Sequence, residues 1–153
     1  MRPKPASPAA EIIPLFVADV FHLAGAFRRL GDRIAETAGH TQSQWQLLSA
    51  ASVGPRTAAQ LARRLGYARQ SVQRTADQLA ADGLARYSQN PDHKASPLLE
   101  LTDEGVSTLA LITKAARKWH LALAAQVNTD ELNIAFAVVR KLCDATEKAV
   151  AGR

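Results

Sequence analysis

The chain has 153 residues and a formal net charge of +5, with 47% apolar residues and one cysteine. That length fits one domain able to bury a real core, and the composition excludes wholesale disorder. Cys143 alone excludes a disulfide framework and a cysteine-based zinc cluster, and a lone thiol fits a reducing cytoplasm.

Pro3, Pro5, Pro8 and Pro14 predict a flexible arm over residues 1–14, with Arg2 and Lys4 in a solvated tail. Pro14 and Asp19 also interrupt the apolar run that a signal peptide needs, and we expect no membrane-crossing helix. From Leu15 to about residue 39, Phe16, Val20, Leu23, Phe27, Leu30 and Ile34 recur at spacings of four and three, the seam of one long helix. Thr41 and Gln44 form a capping box opening a helix that carries Trp45, Leu47 and Leu48 and ends at Gly54-Pro55. Thr57 and Gln60 form a second, opening a helix that buries Leu61, Ala62 and Leu65; Gly66 supplies the turn after it.

The next helix runs from about Arg69 to Ala81 and closes at Asp82-Gly83. Residues 84–87 and 98–101 then read as strands flanking an Asn-Pro-Asp turn, a β-hairpin wing. Thr102 caps a following helix, with Asp103 and Glu104 at its positive end. Over residues 103–153, Leu109, Ile112, Ala116, Trp119 and Leu123 form a further seam, and Leu132, Phe136, Val139, Cys143, Thr146 and Val150 another. The expected fold is mainly α with a small β-wing: one domain over 15–153, its lobe at 41–102 flanked by long terminal helices. Those seams exceed what the lobe can cover, so the surplus predicts a homodimer through 15–39 and 103–153.

Charge placement points to a partner. No acidic residue lies between Glu36 and Asp77, yet Arg56, Arg63, Arg64, Arg69 and Arg74 all fall there. Carboxylates would repel a duplex, whereas each arginine docked on phosphate releases a condensed counterion. At about 100° per residue, Val72, Ala76 and Leu79 share the buried side of the helix after Gly66, while Gln70, Gln73, Arg74 and Asp77 face away, with Arg69 at the edge. Arginine and glutamine suit base edges in a major groove. Arg69, Gln70, Gln73 and Arg74 are therefore the candidate reading residues on double-stranded DNA, and Arg56, Thr57, Arg63 and Arg64 the candidate backbone contacts.

The stretch VQRTADQLAADGLARYSQNPDHKASPLLELTDEG, residues 72–105, resembles the MarR family of winged helix-turn-helix regulators, and the likeness extends over nearly the whole chain. The resemblance implies a homodimer on a pseudo-palindromic operator, acting as a repressor that a small aromatic ligand releases. Arg74 and Asp77 match the family's recognition-helix arginine and aspartate; Gln78 stands where arginine is common. At the wing tip the family carries Asp-x-Arg, whereas this chain reads His93-Lys94-Ala95, leaving Lys94, and His93 when protonated, as the wing contacts. Ala68 replaces a frequent Ser or Thr cap, a loss of about 1 kcal/mol.

Family ligands bind between the dimerisation helices and the lobe, which makes His22, Phe27, Trp45, Trp119 and His120 the candidate effector pocket, with Arg28 as an added donor. The stronger reading puts Phe27 and Trp119, on seam positions, in core or dimer contacts, and makes His22 and His120 structural histidines before ligands. Cys143, on the last helix's apolar stripe, reads as a buried, inert thiol. The histidines and the cysteine give no metal spacing, and no cofactor is expected. Without a phosphate-cradling glycine loop, nucleophile elbow or supported carboxylate pair, catalysis is not expected. The altered wing keeps one alternative open, a winged-helix module with weakened DNA binding that acts through a protein partner.

Overall fold

The computed structural model describes residues 7–152, so Arg2 and Lys4 lie outside the described residues. The elements run α1 (Pro8–Glu36), α2 (Gln42–Ala51), β1 (Arg56–Thr57), α3 (Ala58–Leu65), α4 (Arg69–Ala81), β2 (Ala85–Ser88), β3 (Leu98–Leu101), α5 (Asp103–Ala124) and α6 (Thr129–Ala151). The fold is mainly helical with a small antiparallel sheet. By its contacts the chain groups into two compact units, Met1–Ala115 and Ala116–Arg153. The break falls inside α5, and α6 contains no buried residue.

Helix α1 starts earlier than expected, making residues 8–14 helical rather than an arm. The Ser7 side chain accepts from the Ala10 amide at 3.3 Å, and Pro8 occupies the first turn, where its missing N–H is no loss. Pro14 forfeits one intrahelical bond, and the helix continues through it. A second expectation also fails. An 18-residue window of α1 has a mean hydropathy of 1.6 and no buried residue, so by length and composition this helix is apolar enough to cross a membrane. Asp19 and Pro14 break the run without lowering its average below that mark. Interface helices of water-soluble dimers share this composition, and exposed Leu23 and Phe27 stand on α1 at the spacing of such a seam.

In the first unit the capping boxes form as the sequence predicts. Thr41 accepts from the Gln44 amide at 3.2 Å while Gln44 Oε1 accepts from the Thr41 amide at 2.9 Å. Thr57 and Gln60 repeat that pair at the same distances. Gln42 N–H also donates to Asp32 Oδ1 at 2.8 Å, which ties the start of α2 to α1. Gly66 ends α3 at φ 69°, a left-handed conformation that costs glycine nothing. Leu47, Leu48, Leu61, Leu79, Leu99 and Ile112 are the largest fully buried side chains, each contributing about 1.5–3 kcal/mol of burial.

The sheet has three strands in the order β1-β3-β2. The sequence announces β2 and β3 but not β1, which is two residues long and lacks any alternation. Leu99 stands opposite Arg56 on one side and Tyr87 on the other. After the wing, Thr102 Oγ1 donates to the Gly83 carbonyl at 2.7 Å and accepts from the Gly105 amide at 3.1 Å. The start of α5 thereby seats against the end of α4.

That seat leaves no room at Gly105, where an added Cβ would collide with the Leu84 carbonyl. Gly105→Ala should lower stability by about 1–3 kcal/mol. Gly25→Ala, where the added carbon meets only Arg29 Nη1 at 3.4 Å, should be neutral or gain up to about 1 kcal/mol of helix propensity. Urea denaturation of both variants checks this, and equal midpoints would show that the backbone at Gly105 yields freely.

Candidate nucleic-acid interface

The sequence places a recognition helix after Gly66, and α4 occupies that position. Val72, Ala76 and Leu79 are buried beneath it, while Arg69, Gln70 and Arg74 are exposed on its outer arc. Ala68 makes no side-chain cap, as its methyl requires, so the first turn holds only through backbone bonds such as Ser71 N–H to Ala68 O at 3.0 Å.

Gln73 behaves differently from its neighbours. Its amide nitrogen donates to Asp77 Oδ1 at 2.9 Å and to Tyr87 Oη at 2.8 Å, and the Tyr87 hydroxyl donates to Asp77 Oδ1 at 2.6 Å. The cluster bolts α4 to the first wing strand. The bonds from Tyr87 and then Gln73 hold the Asp77 carboxyl below its ordinary value of 3.8. Partial burial, then the bond to Asp77 and its charge, push the Tyr87 phenol up to about 12. Tyr87 is not legible in the sequence, because no periodicity links residues ten apart on a helix and a strand.

The four backbone candidates separate. Arg63 and Arg69 line one open groove of about 430 Å³, together with Gly66 and Tyr67. Tyr67, also missed, donates from its hydroxyl to Gln46 Oε1 at 3.2 Å. Arg64 turns the other way, onto the cleft beside Trp45. Thr57 Oγ1 is committed as the cap of α3, and Arg56 sits in β1 with its Nε buried and unpaired. His93 and Lys94 are exposed at the wing tip. Behind them buried Asn90 shapes the turn, donating to the Ser96 carbonyl at 2.8 Å and accepting from the Asp92 amide at 3.1 Å. Arg86 Nε and Glu100 Oε1, 3.0 Å apart, pair across the two wing strands.

The effector candidates are divided between the units, His22, Phe27 and Trp45 in the first and Trp119 and His120 in the second. Trp45 lines a cleft of about 320 Å³ with Gln42, Gln46, Ser49, Arg64 and Leu65, between α2 and α3. His22 and Phe27 are exposed on α1 and take no part in that lining. The reason is geometric, since the α1 end that packs on α2 is the one carrying Ile34 and Ala35. Trp119 and His120 belong to the second unit, where both are exposed and Lys118 Nζ lies 5.4 Å from the Trp119 ring centroid. Cys143 is exposed rather than buried, as is most of α6, which has no buried residue.

A recognition helix mounted on a three-stranded wing defines a winged helix-turn-helix DNA-binding fold. The MarR family model matches residues 38–96. An uncharacterized protein of Mycobacterium tuberculosis is 51% identical over 107 residues, 70% of this chain and 75% of the relative. Among solved structures, the organohalide-sensing RdhR transcriptional regulator in its 2,4-dichlorophenol-bound form matches with a TM-score of 0.77 at 17% identity, covering 95% of this chain and 88% of that one. A mutant MarR from E. coli complexed with operator DNA matches with a TM-score of 0.72 at 22% identity, covering 90% and 99%. The chain belongs to the MarR family of transcription regulators. Its family and fold are those of DNA-binding regulators, not of enzymes.

The Tyr87–Asp77 bond carries a pH signature. A phenol raised from its ordinary 10.0 to about 12 contributes stability that is complete below pH 10 and lost as pH climbs toward 12. A lowered Asp77 contributes stability present above pH 3.8 and lost as pH falls below it. Tyr87→Phe should therefore trail the wild type from about pH 5 to 9 and converge with it at both extremes. Urea midpoints measured across pH decide this, and a gap that does not change with pH would show that neither titration is linked to stability.

Proposed function

We propose that the protein is a cytoplasmic, homodimeric repressor that binds a pseudo-palindromic operator through residues 41–102 and releases it on binding a small aromatic molecule. The observation that carries this reading is the outer arc of α4, where Arg69, Gln70 and Arg74 are exposed in a stretch free of acids up to Asp77. Arg63 joins Arg69 at a groove suited to a phosphate, and Lys94 and His93 at the wing tip serve the adjacent minor groove. Arg56 in β1 and Thr57, whose hydroxyl oxygen caps α3 and keeps its proton, stand as further contacts to the DNA backbone.

The dimer rests on uncovered apolar surface. Leu23 is 51% exposed on α1, and Phe136 is 59% exposed on α6. Such faces are stable in water only when covered, and a second copy covers like with like. This assignment also accounts for the apolar length of α1 without a membrane. For the effector we choose the Trp45 cleft, in which an indole face and the Arg64 guanidinium suit an aromatic acid. A relative of the same fold holds 2,4-dichlorophenol.

The first test is fluorescence anisotropy with duplex DNA from upstream of the protein's own gene, competed by random DNA over a salt series. Specific binding should exceed random by at least ~10³-fold and weaken steeply with salt. Equal, weak binding to both, followed by an empty genome-wide pull-down, would favour the protein-partner alternative. Arg74→Ala should cost about 1–3 kcal/mol of operator affinity and relax preference at one position; unchanged affinity would remove Arg74 from the interface. Leu23→Asp combined with Phe136→Asp should give monomers that bind operator weakly. A dimer of unchanged mass by light scattering would show that the interface lies elsewhere.

A further inference from the structure

Neighbouring residues of α3 line two different openings in the lobe. Arg64 and Leu65 line the Trp45 cleft, with Gln42, Gln46 and Ser49 of α2. Ala59, Ala62 and Arg63 line the open groove, which Gly66, Tyr67 and Arg69 complete. One hydrogen bond joins the two linings, the Tyr67 hydroxyl donating to Gln46 Oε1 at 3.2 Å. Among the described residues it is the one side-chain bond between α2 and the turn into α4, and the hydroxyl has no other partner there. Tyr67 also follows Gly66, whose φ of 69° closes α3 and redirects the chain. A residue of the groove is thus held in place from the cleft.

We propose that this bond couples the two openings, so that an organic anion taken up in the Trp45 cleft breaks it and the groove loses its grip on a phosphate. The inference rests on the effector and operator-binding roles given above to the cleft and the groove. For an O–H donor a separation of about 2.8 Å is usual, so a bond at 3.2 Å offers little resistance. Gln46 Nε2 has no partner among the described residues. A carboxylate docked on Arg64 supplies that nitrogen with an ionised acceptor, and charge-assisted bonds are roughly twice as strong as neutral ones. Gln46 therefore moves toward the ligand, and the Tyr67 hydroxyl is released. Ligand and operator then favour opposite states of one bond, which is the condition for release. The linkage is reciprocal, and operator must loosen the ligand by the factor with which the ligand loosens operator.

Anisotropy with operator duplex and calorimetry with benzoate as the probe test it, on wild type, Tyr67→Phe and Arg64→Ala. Tyr67→Phe keeps the ring and removes only the donor. It should bind operator about three- to tenfold more weakly and benzoate more tightly by a similar factor, because the bond no longer resists the probe. Lost structural support would weaken both, so the opposite signs are the signature of the coupling. In the wild type, saturating benzoate should weaken operator binding by that same factor; in Tyr67→Phe it should change nothing. Undiminished release by benzoate in Tyr67→Phe, unchanged operator affinity, or weaker benzoate binding by that variant would overturn the inference. Wild-type binding of both partners without release would sink the coupling and leave both binding roles standing. Benzoate heat that survives Arg64→Ala, or no heat at all, would remove the effector role of the cleft and this inference with it. Failure to bind any duplex specifically would remove the operator role, and the coupling would fall for that separate reason.

Discussion

The lobe depends on β3 having partners on both sides. Leu99 stands between Arg56 of β1 and Tyr87 of β2, and its own side chain is fully buried. A two-stranded hairpin alone is marginal in water. The third strand, short as it is, gives the wing a second edge of backbone bonds and runs directly into the cap of α3 at Thr57. On the other side β2 follows the end of α4. Both helices of the helix-turn-helix are thus anchored to one strand, and the angle between them is a property of the sheet as much as of the Gly66 turn. Loss of the Leu99 side chain would loosen both helices together.

Where a single local rule decides an element, the sequence was readable. Both capping boxes, the Gly66 turn, the buried Val72, Ala76 and Leu79 and the two wing strands follow from short-range chemistry, and all are present. Pro8 and Pro14 misled because proline was weighed as a breaker, although Pro8 beside Ser7 is a favourable start and α1 tolerates one lost bond at Pro14. β1 was invisible because two residues carry no period. Tyr87 and Tyr67 were missed for another reason: their hydroxyls meet partners ten and twenty-one residues away. Aromatic composition likewise indicates that surface exists for a ligand, not which side chains converge; Trp45 lines a cleft within the first unit.

Polar chemistry and apolar chemistry are kept apart along this chain. The acid-free arginine stretch lies wholly in the first unit, between α2 and α4, while α6 has apolar residues exposed along its length and no buried position. Asp77 is the first carboxylate after that stretch, and it is the one whose charge is met at once by a phenol and an amide. Both bonds fall on the one oxygen Oδ1, and they spread part of the carboxylate charge onto the wing strand. Tyr87 therefore serves electrostatics as well as geometry.

One consequence follows from Ala68. With no side chain to cap it, the first turn of α4 is held by backbone bonds alone, whereas α2 and α3 are each clasped by a reciprocal pair. The lobe should breathe first at Arg69 and Gln70, whose amides lie in the first turn and have no intrahelical partner. Whatever accepts hydrogen bonds at that end, a phosphate oxygen included, closes the turn as it arrives. Docking and the last step of folding are then a single linked equilibrium, and the stability of α4 becomes a reporter of occupancy.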